Sequence, residues 1–300
     1  MPAFAAAGPG DWVLDVIREA GGETVAPEEA DGLVWTGRDP DELRSLLERA
    51  PRIRWVQLPF AGVERYTSLL QDGRTWTSAK GVYGPQVAEH ALALILAGFR
   101  RLKERSAARS WNRDDHGQSL IGVPVTVLGG GGIGEEMVKL LQPFGCPVTV
   151  VRKHQGEIPG VRRVLPFERL LEGVKDAGAV VVAWALTPET DGAVNARVLR
   201  AMSGDAWLVN VARGRCVVTE DLVSALREHW IGGAGLDVTD PEPLPDGHPL
   251  WDLPNCIITP HCANPGNLAR DVLAPRIREN VRRFLEGREL AGLVDPELGY

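Results

Sequence analysis

The residues that could do chemistry first gather at one turn. Gly129, Gly131 and Gly134 make G-x-G-x-x-G between an apolar run, VTVL at 125–128, and an amphipathic run, IGEEMVKLLQ at 133–142. A strand that feeds a helix through such glycines can turn tightly and let its backbone approach a pyrophosphate, with the unpaired N–H groups of the first helical turn aimed at the anion. Gly129, Gly131, Gly132, Ile133 and Gly134 are therefore the candidate dinucleotide-binding residues. At the end of the next strand, about twenty residues on, an acid would bond the ribose hydroxyls of NAD(H). Arg152 and Lys153 stand there instead, followed by His154. A planar guanidinium suits a phosphate and offers little to a neutral diol, so the pattern favours NADP(H). NAD(H) is the alternative if the two cations are only a solvated loop.

Such a turn needs a sheet to hold it. From Val123 onward, short β-branched runs alternate with helical patterns, as βαβ units do. The predicted strands are 125–128, 148–151, 180–183, 207–210, 234–238 and 256–259, with helices starting near Ile133, Pro166, Val194 and Glu220. These strands are continuously apolar, which predicts a parallel sheet covered on both faces, a doubly wound α/β domain. A weaker α/β pattern precedes it: a helix at 11–20, a strand at 32–35, a helix at 39–50 that Asp39 can cap and Pro40 can begin, and a strand at 53–58. No strand is clearly marked in the first thirty residues. The apolar helix predicted at 87–102 should be buried, whereas Ile277, Val281, Phe284 and Leu285 form one stripe on a C-terminal helix that needs a surface to cover and ends near Gly287.

Composition narrows the function classes. The 300 residues are 44% hydrophobic and 24% charged, values of an ordinary globular protein, and are long enough for about two domains. A net charge of -7 argues against a broad attraction to nucleic acid or to an anionic membrane. No stretch has the length and apolarity of a membrane-spanning helix, and the N-terminus lacks a basic flank of the kind a secretory signal carries, which predicts a cytoplasmic protein. Cys146, Cys216, Cys256 and Cys262 form no CxxC pair and are expected to be buried free thiols, with no metal site.

The C-terminal half carries a denser series of motifs: LTPET at 186–190, NVARGR at 210–215, GLDV at 235–238, DPEPLP at 240–245, HPLWDLPN at 248–255 and ITPH at 258–261. In this order and spacing they resemble the D-isomer-specific 2-hydroxyacid dehydrogenases, from roughly Gly32 to the C-terminus. Within that family the chain is most similar to bacterial glyoxylate/hydroxypyruvate reductases, which have a similar LVW, a similar FRR ending the long helix, and a C-terminal VDxxxGY like Val294 to Tyr300. The resemblance implies two Rossmann-like lobes: a substrate and catalytic domain of residues 1–90 plus 268–300, to which the C-terminal helix returns, and a dinucleotide-binding domain of residues 91–267. It implies a homodimer, a small 2-oxo acid as substrate, and a preference for NADPH in agreement with Arg152.

The catalytic set implied by the resemblance is Arg213, Glu242 and His261. Each suits reduction of a ketone. Arg213 offers a forked cation that can hold a carboxylate and polarise the carbonyl. His261 is the proton donor, since imidazole titrates near working pH. Glu242 is the acid that holds the imidazole and favours its charged form. Further implied contacts are Ala61, Gly62 and Val63 of the FAGVE loop, whose amides would grip the substrate carboxylate; Trp35, either closing the substrate pocket or lying in the core; Asp237 on the nicotinamide carboxamide; and Thr187 and Ala212 along the cofactor. Arg215 and Cys262-Ala263-Asn264-Pro265 depart from the family pattern. The rival readings are a corepressor-like, dinucleotide-sensing binding protein on the same scaffold and a short phosphoglycerate dehydrogenase; a formate dehydrogenase is disfavoured because a glutamine stands in that branch where Glu242 stands.

Overall fold

The structure is a computed structural model that describes residues 2–111, 113–153 and 156–295, so His154 and the last five residues of the C-terminal motif lie outside the described residues. The chain divides into two compact units, Met1–Tyr83 with Pro265–Tyr300, and Gly84–Asn264.

The first unit opens with β1 (Ala3–Ala7), α1 (Trp12–Glu19), β2 (Glu23–Thr24), β3 (Gly32–Trp35), α2 (Pro40–Arg49), β4 (Trp55–Gln57) and β5 (Thr75–Thr77). Its sheet has the order β2-β1-β3-β4-β5, and every neighbouring pair is parallel. Asp39 caps α2 as expected, its Oδ1 accepting from Asp41 N at 2.9 Å. The sequence reading missed β1, β2 and β5 here; β1, AFAAA, pairs with both β2 and β3 although alanine has little strand preference of its own.

The second unit begins with α3 (Gly84–Phe99) and α4 (Leu102–Ala107), then runs β6 (Val125–Leu128), α5 (Gly132–Leu141), β7 (Val148–Val151), β8 (Arg163–Leu165), α6 (Leu170–Val174), β9 (Ala179–Val182), α7 (Ala196–Ala201), β10 (Trp207–Asn210), α8 (Thr219–Arg227), β11 (Gly233–Leu236), α9 (Pro249–Asp252) and β12 (Cys256–Ile258). The seven strands are parallel in the order β12-β11-β10-β9-β6-β7-β8. All but β8 and β12 are buried at every residue, as the unbroken apolar runs demand. The helix α3 packs against α5 and against β10 and β11. Gly98 permits this, since a Cβ there would lie 2.3 Å from the ring of Trp207. Because α3 belongs to this unit from its first residue, the chain passes between units at 83/84.

After Asn264 the chain rejoins the first unit as α10 (Ala269–Leu285), whose Leu273, Ala274, Ile277 and Val281 are buried with Phe4, Val13, Ile17 and Trp55. Polar groups fix its position. Asn280, fully buried, donates from Nδ2 to Gln57 Oε1 at 2.8 Å and to the Ala291 carbonyl at 2.9 Å, and accepts the Ala291 N–H at 2.8 Å. Thr77 Oγ1 donates to the same Gln57 oxygen. Asn280→Ala strips partners from buried groups and is expected to cost roughly 2–4 kcal/mol, read as a lowered denaturation midpoint; a change under about 0.5 kcal/mol would show that solvent already reaches this network.

Candidate active site

In the second unit the strands run β6, β7, β8 outward on one side and β9 to β12 on the other, so the order reverses between β6 and β9. Open α/β sheets bind ligands outside the carboxyl ends of their strands at such a reversal. The glycine turn leaves β6 at this point. Gly129 has φ +118, and a Cβ on it would lie 2.7 Å from the backbone of Ala183 and Trp184, just beyond β9. A Cβ on Gly134 would lie 2.1 Å from the Gly129 carbonyl, so only glycine lets α5 approach the turn. Gly131 differs: nothing lies within 4 Å of its Cβ position. Gly131 precedes α5, whose first residues are Gly132, Ile133 and Gly134. Two glycines therefore close the turn and the third leaves open space beside a helix N-terminus, an arrangement that fits a pyrophosphate.

Arg152 follows β7 and lies along this turn, with its Cδ 2.6 Å from where a Gly130 Cβ would stand. Its Nη2 donates to the Gly156 carbonyl at 2.9 Å, while its buried Nε has no hydrogen-bond partner among the described residues. Lys153 pairs with Glu189 at 3.1 Å. Since β6 stands between β7 and β9, this pair spans the end of β6. The lysine hydrogen bond, then its charge, lowers the Glu189 carboxyl below its ordinary range. Thr187 lies in the same turn, its N–H donating to Thr190 Oγ1 at 2.8 Å.

Beyond β9 the remaining candidates sit at the carboxyl ends of β10, β11 and β12. The turn after β10 is held by Asn210, 1% exposed: its Oδ1 accepts the Ala212 N–H at 3.1 Å and its Nδ2 donates to the Arg213 carbonyl at 2.9 Å. Arg213 then carries its guanidinium out of a fixed backbone, Nη1 donating to the Ala212 carbonyl at 2.8 Å. A Cβ on Gly214 would lie 1.9 Å from the Thr239 carbonyl, so the loop after β11 is packed directly on this turn. That loop contains Glu242, whose Oε1 lies 2.7 Å from His261 Nδ1. His261 follows β12 with φ +51, a left-handed conformation that costs a non-glycine residue roughly 1–2 kcal/mol. With Nδ1 committed to a carboxylate, Nε2 is the ring atom placed to exchange a proton with a bound molecule.

Asp237, 2% exposed, stands behind this histidine. Its Oδ1 accepts from Thr259 Oγ1 at 2.6 Å and from Cys262 N at 2.9 Å, and its Oδ2 from Ala263 N at 3.0 Å. His90 Nε2 lies 2.9 Å from Thr259 Oγ1 and 3.5 Å from Asp237 Oδ1. No motif pointed to His90 or Thr259 as partners of Asp237; Thr259 carried a signal only as part of ITPH. His90, Asp237 and Cys262 bring three possible ligand atoms within 4.8 Å, as do Asp114, Asp115 and His116. In the first group these atoms already bond one another and the backbone, and the second lies on the surface.

One expectation changes. Cys146, Cys216 and Cys256 are buried free thiols, Cys256 pushed up to about 12 by burial, but Cys262 is exposed because it lies on the turn rather than in the strand. Trp35 takes the core, one of its two expected places, 1% exposed and packed with Leu33, Val56 and Tyr66. Ala61, Gly62 and Val63 form the loop after β4 in the first unit, where Val63 is buried and Ala61 exposed.

The parallel order, glycine turn and carboxyl-end histidine define a dinucleotide-dependent oxidoreductase. Residues 91–263 match the family described as D-isomer specific 2-hydroxyacid dehydrogenase, NAD binding domain, and the chain belongs to this family. A glyoxylate reductase of Thermococcus gammatolerans is 32% identical over 95% of this chain and 93% of its own length. Among solved structures, a D-isomer specific 2-hydroxyacid dehydrogenase from Xanthobacter autotrophicus Py2, in complex with NADPH and MES, is 28% identical with a TM-score of 0.85 over 100% of this chain and 99% of that one. An NADPH-dependent glyoxylate/hydroxypyruvate reductase from Sinorhizobium meliloti, in complex with NADP and sulfate, is 25% identical with a TM-score of 0.83 over 100% and 99%. The protein is thus an NAD(P)-dependent oxidoreductase using a nicotinamide dinucleotide. Among the described residues no helix is long and apolar enough to cross a membrane.

Proposed function

We propose that this protein reduces small 2-oxo acids, glyoxylate and hydroxypyruvate foremost, to 2-hydroxy acids with NADPH. The observation that carries the reading is the 2.7 Å contact between His261 Nδ1 and Glu242, at the same carboxyl end of the parallel sheet as the glycine turn. A nicotinamide dinucleotide held at the glycine turn would supply the hydride for the carbonyl carbon. Arg213 holds the substrate carboxylate and draws charge onto the ketone oxygen. His261 Nε2 gives its proton to that oxygen as the C–H bond forms, and Glu242 keeps the ring oriented through the exchange. Ala61, Gly62 and Val63 are assigned to the substrate carboxylate, and Gly129, Gly131, Gly132, Ile133, Gly134, Thr187 and Ala212 to the dinucleotide. A panel of 2-oxo acids run against NADPH and NADH tests the substrate class; absence of turnover with every acid would overturn it.

The cofactor preference rests on Arg152 and Lys153, with the two NADP(H)-bound relatives in support. Arg152→Asp is expected to weaken NADPH binding by roughly 10–100-fold, the value of a charged hydrogen bond or two, and to leave NADH binding far less changed. Fluorescence titration with both cofactors checks this, and equal losses would make the arginine indifferent to the 2′-phosphate. A reducing cytoplasm suits the four unpaired thiols. A homodimer suits Trp111 and Ile121, 94% and 76% exposed on the segment between α4 and β6.

A further inference from the structure

The sequence leaves His90 without a role, and the chemistry proposed for the site does not use it. It stands on α3, 169 residues before the threonine it touches. Counting protons fixes how the two are joined. A threonine hydroxyl has one proton. Thr259 Oγ1 lies 2.6 Å from Asp237 Oδ1, and both oxygens of Asp237 also accept backbone N–H groups, as an ionised carboxylate does. The threonine proton therefore goes to Asp237. The 2.9 Å contact from His90 Nε2 to Thr259 Oγ1 must then be donated by the histidine, so His90 carries a proton on Nε2. The relay runs from His90 to Thr259 to Asp237.

Its far end is the backbone of the proton donor. The N–H groups that Asp237 accepts belong to Cys262 and Ala263, the two residues after His261, and the His261 N–H itself donates to the Asp237 carbonyl at 2.8 Å. These bonds span the residue whose φ is +51, the conformation least stable by itself. The carboxylate holds these two adjacent N–H groups with one oxygen each, and Thr259 adds a third bond to Oδ1 that favours the same orientation, with His90 bonded to Thr259 in turn.

We propose that His90 is a positioning residue for His261: through Thr259 and Asp237 it locks the left-handed turn that aims the imidazole. The proposal rests on the reading of His261 as proton donor. The titratable groups that face the relay are Asp237 and Cys262, with Glu242 on the far side of the His261 ring. Although the residue is exposed, partial desolvation of its sulfur and then the charge of Asp237 push the Cys262 thiol up, so it stays neutral beside the carboxylate.

The test uses His90→Ala and His90→Gln; the glutamine amide can still donate to Thr259. For glyoxylate reduction with NADPH, His90→Ala is expected to lower kcat about tenfold, as a small misplacement of a catalytic group does, with KM for NADPH nearly unchanged and a displaced pH profile. His90→Gln should recover most of the loss. A second readout needs no substrate: NMR titration of the His261 ring in histidine-labelled full-length protein, its signal assigned by loss in His261→Ala. A shifted or broadened titration in His90→Ala that His90→Gln restores supports the relay even if glyoxylate proves the wrong acid. An unchanged His261 titration in His90→Ala overturns it, whether or not the melting temperature falls, and so does a glutamine variant as perturbed as the alanine one.

Discussion

The His261→Ala protein is expected to turn over 2-oxo acid roughly 10²–10⁴-fold more slowly, the span for a positioned general acid, while binding NADPH much as the native chain does. The His261 side chain is 51% exposed and its partner Glu242 38% exposed, so removing the ring opens no core cavity and buries no orphan charge. The loss should therefore fall on kcat, and hydride transfer should still be detectable in a single turnover with solvent as the proton source. Steady-state kinetics beside a cofactor titration checks both halves. Undiminished turnover would remove His261 from the reaction, and a large loss of NADPH affinity would make it a binding residue instead.

The second large effect is expected at Arg213. Arg213→Leu should lower kcat/KM for the 2-oxo acid by roughly 10³ or more, since it deletes both the anchor of the carboxylate and a charge aimed at the developing alkoxide. Arg213→Lys should restore only part, because an ammonium cannot reproduce a planar two-pronged contact. Local collapse is not the cause anticipated: the turn is held by the Asn210 side chain through the Ala212 N–H and the Arg213 carbonyl, none of which the substitution removes. The decisive comparison is KM for the acid against Kd for NADPH. If KM is unchanged in Arg213→Leu, the carboxylate is held elsewhere.

The second unit was more legible than the first because its strands bury both faces. At β6, β7 and β10 the β-branched and apolar runs end where the strands end, at 125–128, 148–151 and 207–210. By contrast β1 is mostly alanine, β5 is three residues around one tryptophan, and β8 is a short edge beginning with an exposed arginine. Their place comes from neighbours rather than from local preference. The glycine turn could be read because each glycine answers a local steric demand. Glu242 and His261 could be named only through family motifs, since nothing in their spacing of nineteen residues states that they meet. His90 was hidden further, a polar residue in a nearly all-apolar helix whose partner lies a hundred and sixty-nine residues away.

The detour of the chain between residues 83 and 265 also orders its birth. The middle segment is contiguous and holds every partner it needs, so it can complete its sheet while the ribosome is still at work. The opening segment cannot. Phe4, Val13, Ile17 and Trp55 wait for Leu273, Ile277 and Val281, which are translated only after the whole middle segment. During synthesis the nascent opening segment therefore shows bare apolar surface until the middle segment has been made, and it is this segment that chaperones holding exposed apolar surface would meet.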